Sequence, residues 1–225
     1  MKLKYYFDTF PTLIGDFSIA LDENDAVAAA AFGGITELRK RFDPGELVRD
    51  ADRLARARSE VQEFFAGKRD HFDVRLAPRG TAFQQRVWKE LQRIPFGQTR
   101  SYAQLAAAVG RPGAARAVGR ANATNPICVL VPCHRVVGAH GSLTGFAFGT
   151  DLKRRLLELE RERAKIRMES SLQAAGSHSK TTANKCFDMP GPHSALKTAF
   201  APSSQPRSKA LGPPNPRWLC RASAA

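Results

Sequence analysis

The chain has 225 residues, 43% of them hydrophobic and 25% charged, with a formal net charge of +14. These fractions are near the averages of globular proteins, so a wholly disordered or fibrous chain is excluded. The charge is unevenly distributed: residues 1–78 carry −2, residues 79–165 carry +10 and residues 166–225 carry +6. A basic segment within a foldable sequence favours a polyanionic partner, nucleic acid before an anionic membrane surface, because Lys and Arg displace counterions from phosphates.

Neither a membrane span nor an export signal is predicted. The first ten residues, MKLKYYFDTF, contain no apolar run ahead of a cleavage site, and no stretch approaches about 18 uninterrupted apolar residues. A cytoplasmic protein without membrane association is therefore expected. In that reducing compartment the four cysteines, Cys128, Cys133, Cys186 and Cys220, are expected to be thiols.

Residues 1–78 are predicted to form an α+β domain. The composition of residues 3–32 is typical of strands and favours a small antiparallel sheet. Asp43, Pro44 and Glu46 then have the pattern of a helix start, and apolar residues at helical spacing follow as far as Gly67. We therefore expect one helix over residues 43–67 beside the sheet.

Residues 79–165 are predicted to form a mostly helical domain with two capping boxes. Thr81 with Gln84, and Ser101 with Gln104, have the spacing at which a hydroxyl and an amide satisfy the first backbone N–H groups of a helix. Each pair precedes apolar residues at helical spacing. We therefore expect helices to begin directly after Thr81 and Ser101.

A turn at Gly110–Gly113 joins the second of these helices to another, AARAVGRANA, which is the pattern of a helix-turn-helix. Such a pair often serves only packing. Arg116 and Arg120, however, lie one turn apart among small residues, and a slim basic helix can approach DNA closely. A winged helix-turn-helix-like domain that binds DNA is therefore predicted.

Two further elements and a tail complete the prediction. Ile127–Val131 has strand character and ends at Pro132, and Thr150–Ala164 has the spacing of a helix. In residues 166–225 the periodicity gives way to Ser, Pro, Gly, Ala and scattered basic residues, which cannot bury enough surface to offset chain entropy. The predicted fold class is α+β, with a sheet-and-helix domain, a mostly helical DNA-binding and catalytic domain, and a disordered basic tail.

Cys133, in the tetrapeptide Pro-Cys-His-Arg, is the candidate nucleophile. A free cysteine has a pKa of about 8.5, so it needs an imidazole or a positive environment to react near neutral pH. On an extended backbone His134 points away from Cys133, so a bridging water is expected between them. Glu160, near the apolar side of its helix, is the candidate group to hold the imidazole.

Plainer interpretations stay open at this point. A cysteine at the end of a strand is most often a small core residue, and Glu160 is also compatible with a solvated position among arginines. A zinc site made by Cys128, Cys133, His134 and His140 is disfavoured, because C-x4-C followed by His lacks the paired C-x2-C spacing. No metal site is predicted.

Two long segments carry a resemblance to a known family. They are GTAFQQRVWKELQRIPFGQTRSYAQLAAAVGRPGAARAVGRAN and NPICVLVPCHRVVGAHGSLTGFAFGTDLKRRLLELE. Together they resemble the bacterial methylated-DNA–protein-cysteine methyltransferases, the O6-alkylguanine-DNA alkyltransferase family. The resemblance is strong over residues 79–161, weaker over residues 1–78, and does not extend to the tail.

The resemblance implies a DNA repair enzyme, a methylated-DNA–protein-cysteine S-methyltransferase, whose partner is double-stranded DNA containing O6-alkylguanine. The damaged base leaves the duplex, and a cysteine thiolate takes its alkyl group in a single displacement. The thioether product is stable, so each molecule reacts once, as a monomer and without a cofactor. O4-alkylthymine is an open second substrate, and a noncatalytic lesion-binding or regulatory protein is the alternative.

The resemblance also implies roles for single residues. The alkyl acceptor is Cys133, with His134 and Glu160 as its proton relay. Asn125 orders the turn before the cysteine, and Tyr102 crowds the phosphate and protonates the departing guanine. Arg116 fills the space left by that base, and further contacts to DNA come from Arg120, Arg135, Ala115 and Ala117. The base pocket is walled by Val136, Phe146, Ala147 and Phe148. Phe146 and Phe148 stand where many relatives have Tyr and Trp, which leaves the substrate range open.

Overall fold

The computed structural model describes residues 3–42 and 45–177, with side chains as far as residue 171. The regular elements are β1 (Lys4–Thr12), β2 (Gly15–Leu21), β3 (Val27–Phe32), α1 (Ile35–Arg39), β4 (Glu46–Arg49), α2 (Ala55–Ala66), α3 (Ala82–Leu91), β5 (Arg100–Ser101), α4 (Tyr102–Ala108), α5 (Ala115–Ala123), β6 (Val136–Val137) and α6 (Thr150–Ser177). These helices and a small sheet confirm the predicted α+β class. Within the described ranges, no helix combines the length and the apolar character needed to cross a membrane.

β1, β2 and β3 form the antiparallel sheet predicted for residues 3–32. Phe10 lies opposite Phe17, and Phe17 lies opposite Phe32, so aromatic rings from three strands meet on one face. Phe65 of α2 packs edge-on against two of these rings. The sheet face is therefore closed by α2, as expected for a sheet-and-helix unit.

The prediction of one helix over residues 43–67 is correct only for its second half, where α2 lies. The segment after Gly45 forms β4, which pairs in parallel with β1, with Leu47 beside Tyr5. Gly45 has a φ of +61°, a left-handed conformation that does not start an α-helix. Pairing with the free edge of β1 outweighs the local helix-start pattern, and it makes the sheet mixed rather than purely antiparallel. Residues 43 and 44 lie outside the described residues.

Both predicted capping boxes are present. Thr81 and Gln84 exchange hydrogen bonds at the start of α3, and Ser101 and Gln104 do the same at the start of α4. A turn with Gly110 at a φ of +74° then leads to α5, which packs against α4 and α3. The predicted helix-turn-helix pair is therefore confirmed, and β5 pairs with β6 beside it.

The segment Ile127–Val131 is a tight turn, not the predicted strand. The Val131 N–H donates to the Ile127 carbonyl at 3.0 Å, and Val129 has a φ of +71°. All five side chains are buried, which explains why the composition looks like a strand. Backbone hydrogen bonds at Ala30 attach the turn to β3. Cys133 therefore follows a turn and begins a 3-10 turn itself, instead of ending a strand.

A single hydrophobic core includes residues from both predicted domains. Phe17 and Phe64 from the first segment are fully buried in the same cluster as Trp88 and Leu105 from the second. The Trp88 indole N–H also donates to the Ala121 carbonyl of α5 at 2.8 Å. The helices around Cys133 are thus supported by the N-terminal sheet and α2, while the domain boundary itself stays a prediction.

α6 continues beyond Ala164, where its end was predicted. Arg163 donates to the carbonyls of Phe64 and Phe65 at the end of α2, both at 2.6 Å, which anchors this part of the helix. The sequence that follows, KIRME, consists of good helix formers and continues the helix. The first part of the predicted tail is therefore helical, and residues 178–225 lie outside the described residues.

Candidate active site and nucleic-acid interface

The turn before Cys133 is ordered by one buried side chain. The Asn125 amide donates to the carbonyls of Ile127 and Val131, at 3.3 and 2.9 Å, and accepts from the Ile127 N–H at 3.1 Å. Asn125 is 3% exposed and Cys133 is 5% exposed. The asparagine therefore fixes three backbone groups of the turn that presents the cysteine.

The pKa of Cys133 is lowered to about 6. A hydrogen bond from the Cys128 thiol is the largest cause. Burial raises the pKa, but this hydrogen bond, a smaller one from Asn125 and the electrostatic effects of His134 and Lys153 together outweigh it. Burial raises the pKa of Cys128 well above its ordinary value, so Cys128 stays a protonated donor. At neutral pH Cys133 is consequently a thiolate, the nucleophilic form of the side chain.

His134, Arg135 and Glu160 form a buried network behind the cysteine. His134 Nε2 lies 2.8 Å from Glu160 Oε1, and Arg135 Nε lies 2.9 Å from Oε2. Burial opposes ionisation of Glu160, but the interactions with His134 and Arg135 outweigh it and lower its pKa to about 2. Glu160 is therefore a carboxylate that holds the imidazole in one orientation.

Arg135 is thus not available to DNA, and its predicted role as a DNA contact is wrong. Its side chain is only 8% exposed. The guanidinium donates to both oxygens of Glu160 and to the Ile94 carbonyl. A buried guanidinium is stable only with such partners, so Arg135 serves to order Glu160.

The predicted DNA-facing residues of α5 lie on an open surface. Arg116 and Arg120 are exposed, and in the described part of the chain neither forms a salt bridge. Ala117 is exposed as well, and Ala115 is half-buried. A slim basic helix face of this kind can enter a DNA groove and contact phosphates.

Tyr102, the first residue of α4, reaches the loop that follows β6. Its hydroxyl donates to the carbonyls of Thr144 and Gly145, at 3.2 and 3.4 Å. Burial raises the pKa of Tyr102, with a smaller contribution from the charge of Cys133. The phenol therefore keeps its proton and can act as a hydrogen-bond donor.

Phe146 and Phe148 pack together in the same loop, with ring centroids 5.6 Å apart. Phe148 also contacts Phe32 of β3 and lies 4.2 Å from the guanidinium of Arg41. Ala147, between the two rings, is exposed. The loop is therefore attached to the N-terminal sheet through Phe148. Val136 of β6 is fully buried.

The chain is similar to proteins of one family. Residues 82–162 match the model described as "6-O-methylguanine DNA methyltransferase, DNA binding domain". A methylated-DNA–protein-cysteine methyltransferase of Mycobacterium bovis is 56% identical over 129 residues, 56% of this chain and 78% of the relative. One of Methanosarcina acetivorans is 43% identical over 156 residues, 69% of this chain and 97% of the relative.

A solved structure of Mycobacterium tuberculosis OGT in complex with DNA is also similar, with a TM-score of 0.63 and 43% identity over 71% of this chain and 94% of that one. This chain belongs to the methylated-DNA–protein-cysteine methyltransferase family. Membership confirms the predicted activity, DNA repair by transfer of an alkyl group to the protein's own cysteine.

The methyltransferase has a further charged group at its site that sequence reasoning missed. Lys153 of α6 is fully buried, and its ammonium donates to the Thr144 carbonyl at 2.8 Å and lies 5.9 Å from the Tyr102 ring. Burial lowers the pKa of Lys153, and the charge of Cys133 opposes this shift. Its position seven residues before Glu160, on the same helix face, is a signal that could have revealed it.

The zinc alternative gains no support from this geometry. Among residues 3–42 and 45–177, no three His, Cys, Asp or Glu side chains are grouped as metal ligands. His140 lies on an exposed turn, and His134 is committed to Glu160. Neither Cys128 nor Cys133 forms a disulfide in this part of the chain.

Proposed function

We propose that this methyltransferase removes the alkyl group from O6-alkylguanine in double-stranded DNA and retains it on Cys133. The matched DNA-binding model and the DNA-bound relative support DNA as its partner. The observation that carries the proposal is a buried cysteine, with a pKa of about 6, beside an imidazole held by Glu160. A buried thiolate suits a base rotated out of the duplex, because an enzyme cannot reach the alkyl carbon within the base stack.

In the proposed reaction the Cys133 thiolate attacks the alkyl carbon as the bond from that carbon to O6 breaks. The electron pair of the broken bond passes to guanine, and Tyr102 donates a proton to the purine as charge develops there. Tyr102 then regains a proton from solvent, so that overall the proton given up by Cys133 replaces the alkyl group on guanine. The product is an unmodified guanine and a thioether. Because water does not displace an alkyl group from a thioether under mild conditions, each molecule reacts once.

His134 is proposed to take the thiol proton of Cys133 through a bridging water. Its Nδ1 is buried and has no hydrogen-bond partner within the described protein, while Nε2 contacts Glu160. An imidazole held at one nitrogen and free at the other suits proton transfer. Glu160 would stabilise the imidazolium, and Asn125 would keep the cysteine in place.

Val136, Phe146, Ala147 and Phe148 are proposed to wall the base pocket. Because Cys133 is only 5% exposed, the loop of residues 145–149 would have to shift when a base enters. Monomeric action and a cytoplasmic location stay predictions from the sequence.

The proposal is tested by mixing the protein with duplex DNA that contains one O6-methylguanine. Loss of the methyl group from DNA is followed by nuclease digestion and chromatography at several protein-to-DNA ratios. We expect one methyl group removed per protein molecule, and no more with excess DNA. Tight binding with the methyl group retained would support the noncatalytic alternative, and several turnovers would exclude self-alkylation.

The transfer rate is expected to depend on the ionisation of Cys133. With its pKa lowered to about 6, the thiolate fraction is halved near that pH and nearly complete at neutrality. The rate with free O6-benzylguanine should therefore rise up to about pH 7 and then stay level to about pH 8.5, where an ordinary thiol would still be ionising. A rate that continues to rise through this upper range would contradict an activated cysteine.

Arg116→Ala is expected to slow repair of duplex DNA on the order of 100-fold, because base extrusion costs a few kcal/mol and the arginine would fill the space left behind. Reaction with free O6-benzylguanine requires no extrusion and should change less than about threefold. Single-turnover kinetics measure both rates. Arg120→Ala, one turn away on the same helix, is the matched control for loss of a phosphate contact. Equal losses on both substrates would show that Arg116 is structural.

A further inference from the structure

A cavity of about 370 Å³ lies beside the N-terminal sheet. Its volume is within the range of pockets that bind small molecules. The lining residues are Leu3, Ala28, Arg41, Phe42, Arg79 and Pro126. None of these residues belongs to α4 or to the loop of residues 145–149, so the cavity is separate from the proposed base pocket.

The lining of this cavity is positively charged. Arg41 and Arg79 belong to it, and its described residues include no Asp or Glu. In the described part of the chain neither arginine forms a salt bridge, and each guanidinium lies over an aromatic ring, 4.2 Å from that of Phe148 for Arg41 and 5.8 Å from that of Tyr5 for Arg79. A guanidinium stacked in this way keeps the N–H groups in its plane available to an acceptor. An anion in the cavity would therefore meet two positive charges without displacing a carboxylate.

Two buried donors at the cavity have no acceptor. Arg41 Nε and the Tyr5 hydroxyl both lack a hydrogen-bond partner within the described residues. Tyr5 is only 1% exposed, and its ring packs edge-on against Phe42 with the ring centroids 5.1 Å apart. Because Phe42 and Arg79 of the lining both lie against this ring, the Tyr5 side chain forms part of the cavity wall. Unpaired buried polar atoms are rare in folded proteins, so two at one cavity indicate a site for a ligand.

The chemistry of these groups indicates the ligand. Two guanidinium groups and a phenol all donate hydrogen bonds, so they require a ligand with several acceptor atoms. A phosphate monoester carries a charge of about −1.5 to −2 at neutral pH and three strong acceptor oxygens, whereas a carboxylate or a DNA phosphodiester carries a single charge. The rest of the lining is apolar, with Leu3, Phe42 and Pro126 among its residues. It suits a small aromatic group attached to the phosphate.

We propose that this cavity binds a small aromatic phosphate monoester. Arg41 Nε, the Arg79 guanidinium and the Tyr5 hydroxyl would donate to the phosphate, and the aromatic group would lie against Phe42 and Pro126. This binding goes beyond alkyl transfer, since it requires neither DNA nor Cys133.

The test is isothermal titration calorimetry of the full-length protein with phenyl phosphate at fixed ionic strength. We expect saturable binding of one molecule per chain. Inorganic phosphate should bind at least about fivefold more weakly, because it leaves the apolar wall uncovered. Arg79→Gln should weaken binding of phenyl phosphate at least about tenfold, since it removes a charge-assisted hydrogen bond.

The matched control is Arg39→Gln, which removes an exposed arginine of α1 that does not line the cavity. It should change the affinity for phenyl phosphate by less than about twofold, because solvent screens a charge at that position. An equal loss of affinity in Arg39→Gln and Arg79→Gln would indicate general attraction of an anion to a basic protein, and would overturn the inference.

Tyr5→Phe distinguishes ligand binding from support of the fold. It removes only the hydroxyl, which has no partner in the free protein, so the free variant should unfold at the same temperature as the wild type or a higher one. Phenyl phosphate should nevertheless bind about tenfold more weakly. A hydroxyl with a structural role would instead lower the unfolding temperature and leave the affinity unchanged.

The inference is overturned if the wild-type protein shows no saturable binding at millimolar phenyl phosphate, or if Arg79→Gln binds it as tightly as the wild type. Equal affinities for inorganic phosphate and phenyl phosphate would exclude the aromatic group from the proposal. None of these results bears on methyl transfer to Cys133, which is measured separately.

Discussion

Cys133→Ser is expected to lower the rate of methyl transfer by at least about 10,000-fold, because a serine hydroxyl is not ionised at neutral pH and is a poor nucleophile without a strong base. The surroundings that lower the pKa of Cys133 to about 6 cannot bring a hydroxyl into the same range. The rate is measured in a single turnover with duplex DNA that contains O6-methylguanine. DNA affinity should be retained, since α5 is unchanged.

Cys128→Ser provides the matched control, because it makes the same substitution at the neighbouring thiol. A serine hydroxyl can still donate a hydrogen bond to the Cys133 sulfur, so transfer should fall only a few-fold, with a small rise in the pKa of Cys133. If Cys128→Ser abolished transfer while Cys133→Ser retained it, the two cysteines would have exchanged roles and the proposed site would be wrong.

Glu160→Gln is expected to reduce both stability and reactivity. The substitution leaves the buried Arg135 guanidinium without a counter-charge, which costs about 3 kcal/mol of unfolding free energy. The imidazole of His134 also loses the carboxylate that stabilises its charged form, so transfer should fall roughly 100-fold. Urea denaturation and single-turnover kinetics measure the two effects.

The control is Glu158→Gln, two residues earlier on α6, where the side chain is exposed. It should alter the unfolding free energy by less than about 0.5 kcal/mol. The folded-state pKa of Glu160 lies below its ordinary value of 4.5. The Glu160 carboxylate therefore stabilises the folded protein fully above about pH 4.5, and this stabilisation is lost as the pH falls towards about 2. Identical stability and rates in the two variants would contradict the role of Glu160.

The sequence predicted much of the fold where local chemistry decides the structure. The capping boxes at Thr81 and Ser101, the antiparallel strands and the helix-turn-helix depend on short-range patterns, and all are present. The start of α2 was wrong because β4 depends on a distant partner. Leu47 pairs with Tyr5 across 42 residues of chain, and no local pattern records that pairing.

The same contrast applies to the site. The position of Glu160 near the apolar side of its helix predicted its contact with His134, which lies 26 residues earlier in the chain. Arg135 could not be assigned from sequence, since an arginine beside a DNA-binding motif is compatible with both phosphate and a buried carboxylate. Lys153 was missed for a related reason. Its significance depends on burial at the site of Cys133, which is a property of the folded chain.

Turn geometry was the third feature that sequence reasoning did not capture. The buried apolar run before Pro132 reads as a strand, but the positive φ of Val129 and the hydrogen bonds of Asn125 close it into a turn. A β-branched residue rarely adopts such a φ, and it persists only where the surroundings enforce it. The turn places Cys133 next to Cys128, and that contact is the largest cause of its lowered pKa.

The most direct measurement is the position of the transferred group. The protein is reacted with duplex DNA containing O6-methylguanine, digested with a protease, and its peptides are analysed by tandem mass spectrometry. We expect one added CH2 group per molecule, located on Cys133, with Cys128 unmodified. A methyl group on Cys128 or on any other residue, or complete removal of the lesion with Cys133 unmodified, would contradict the account.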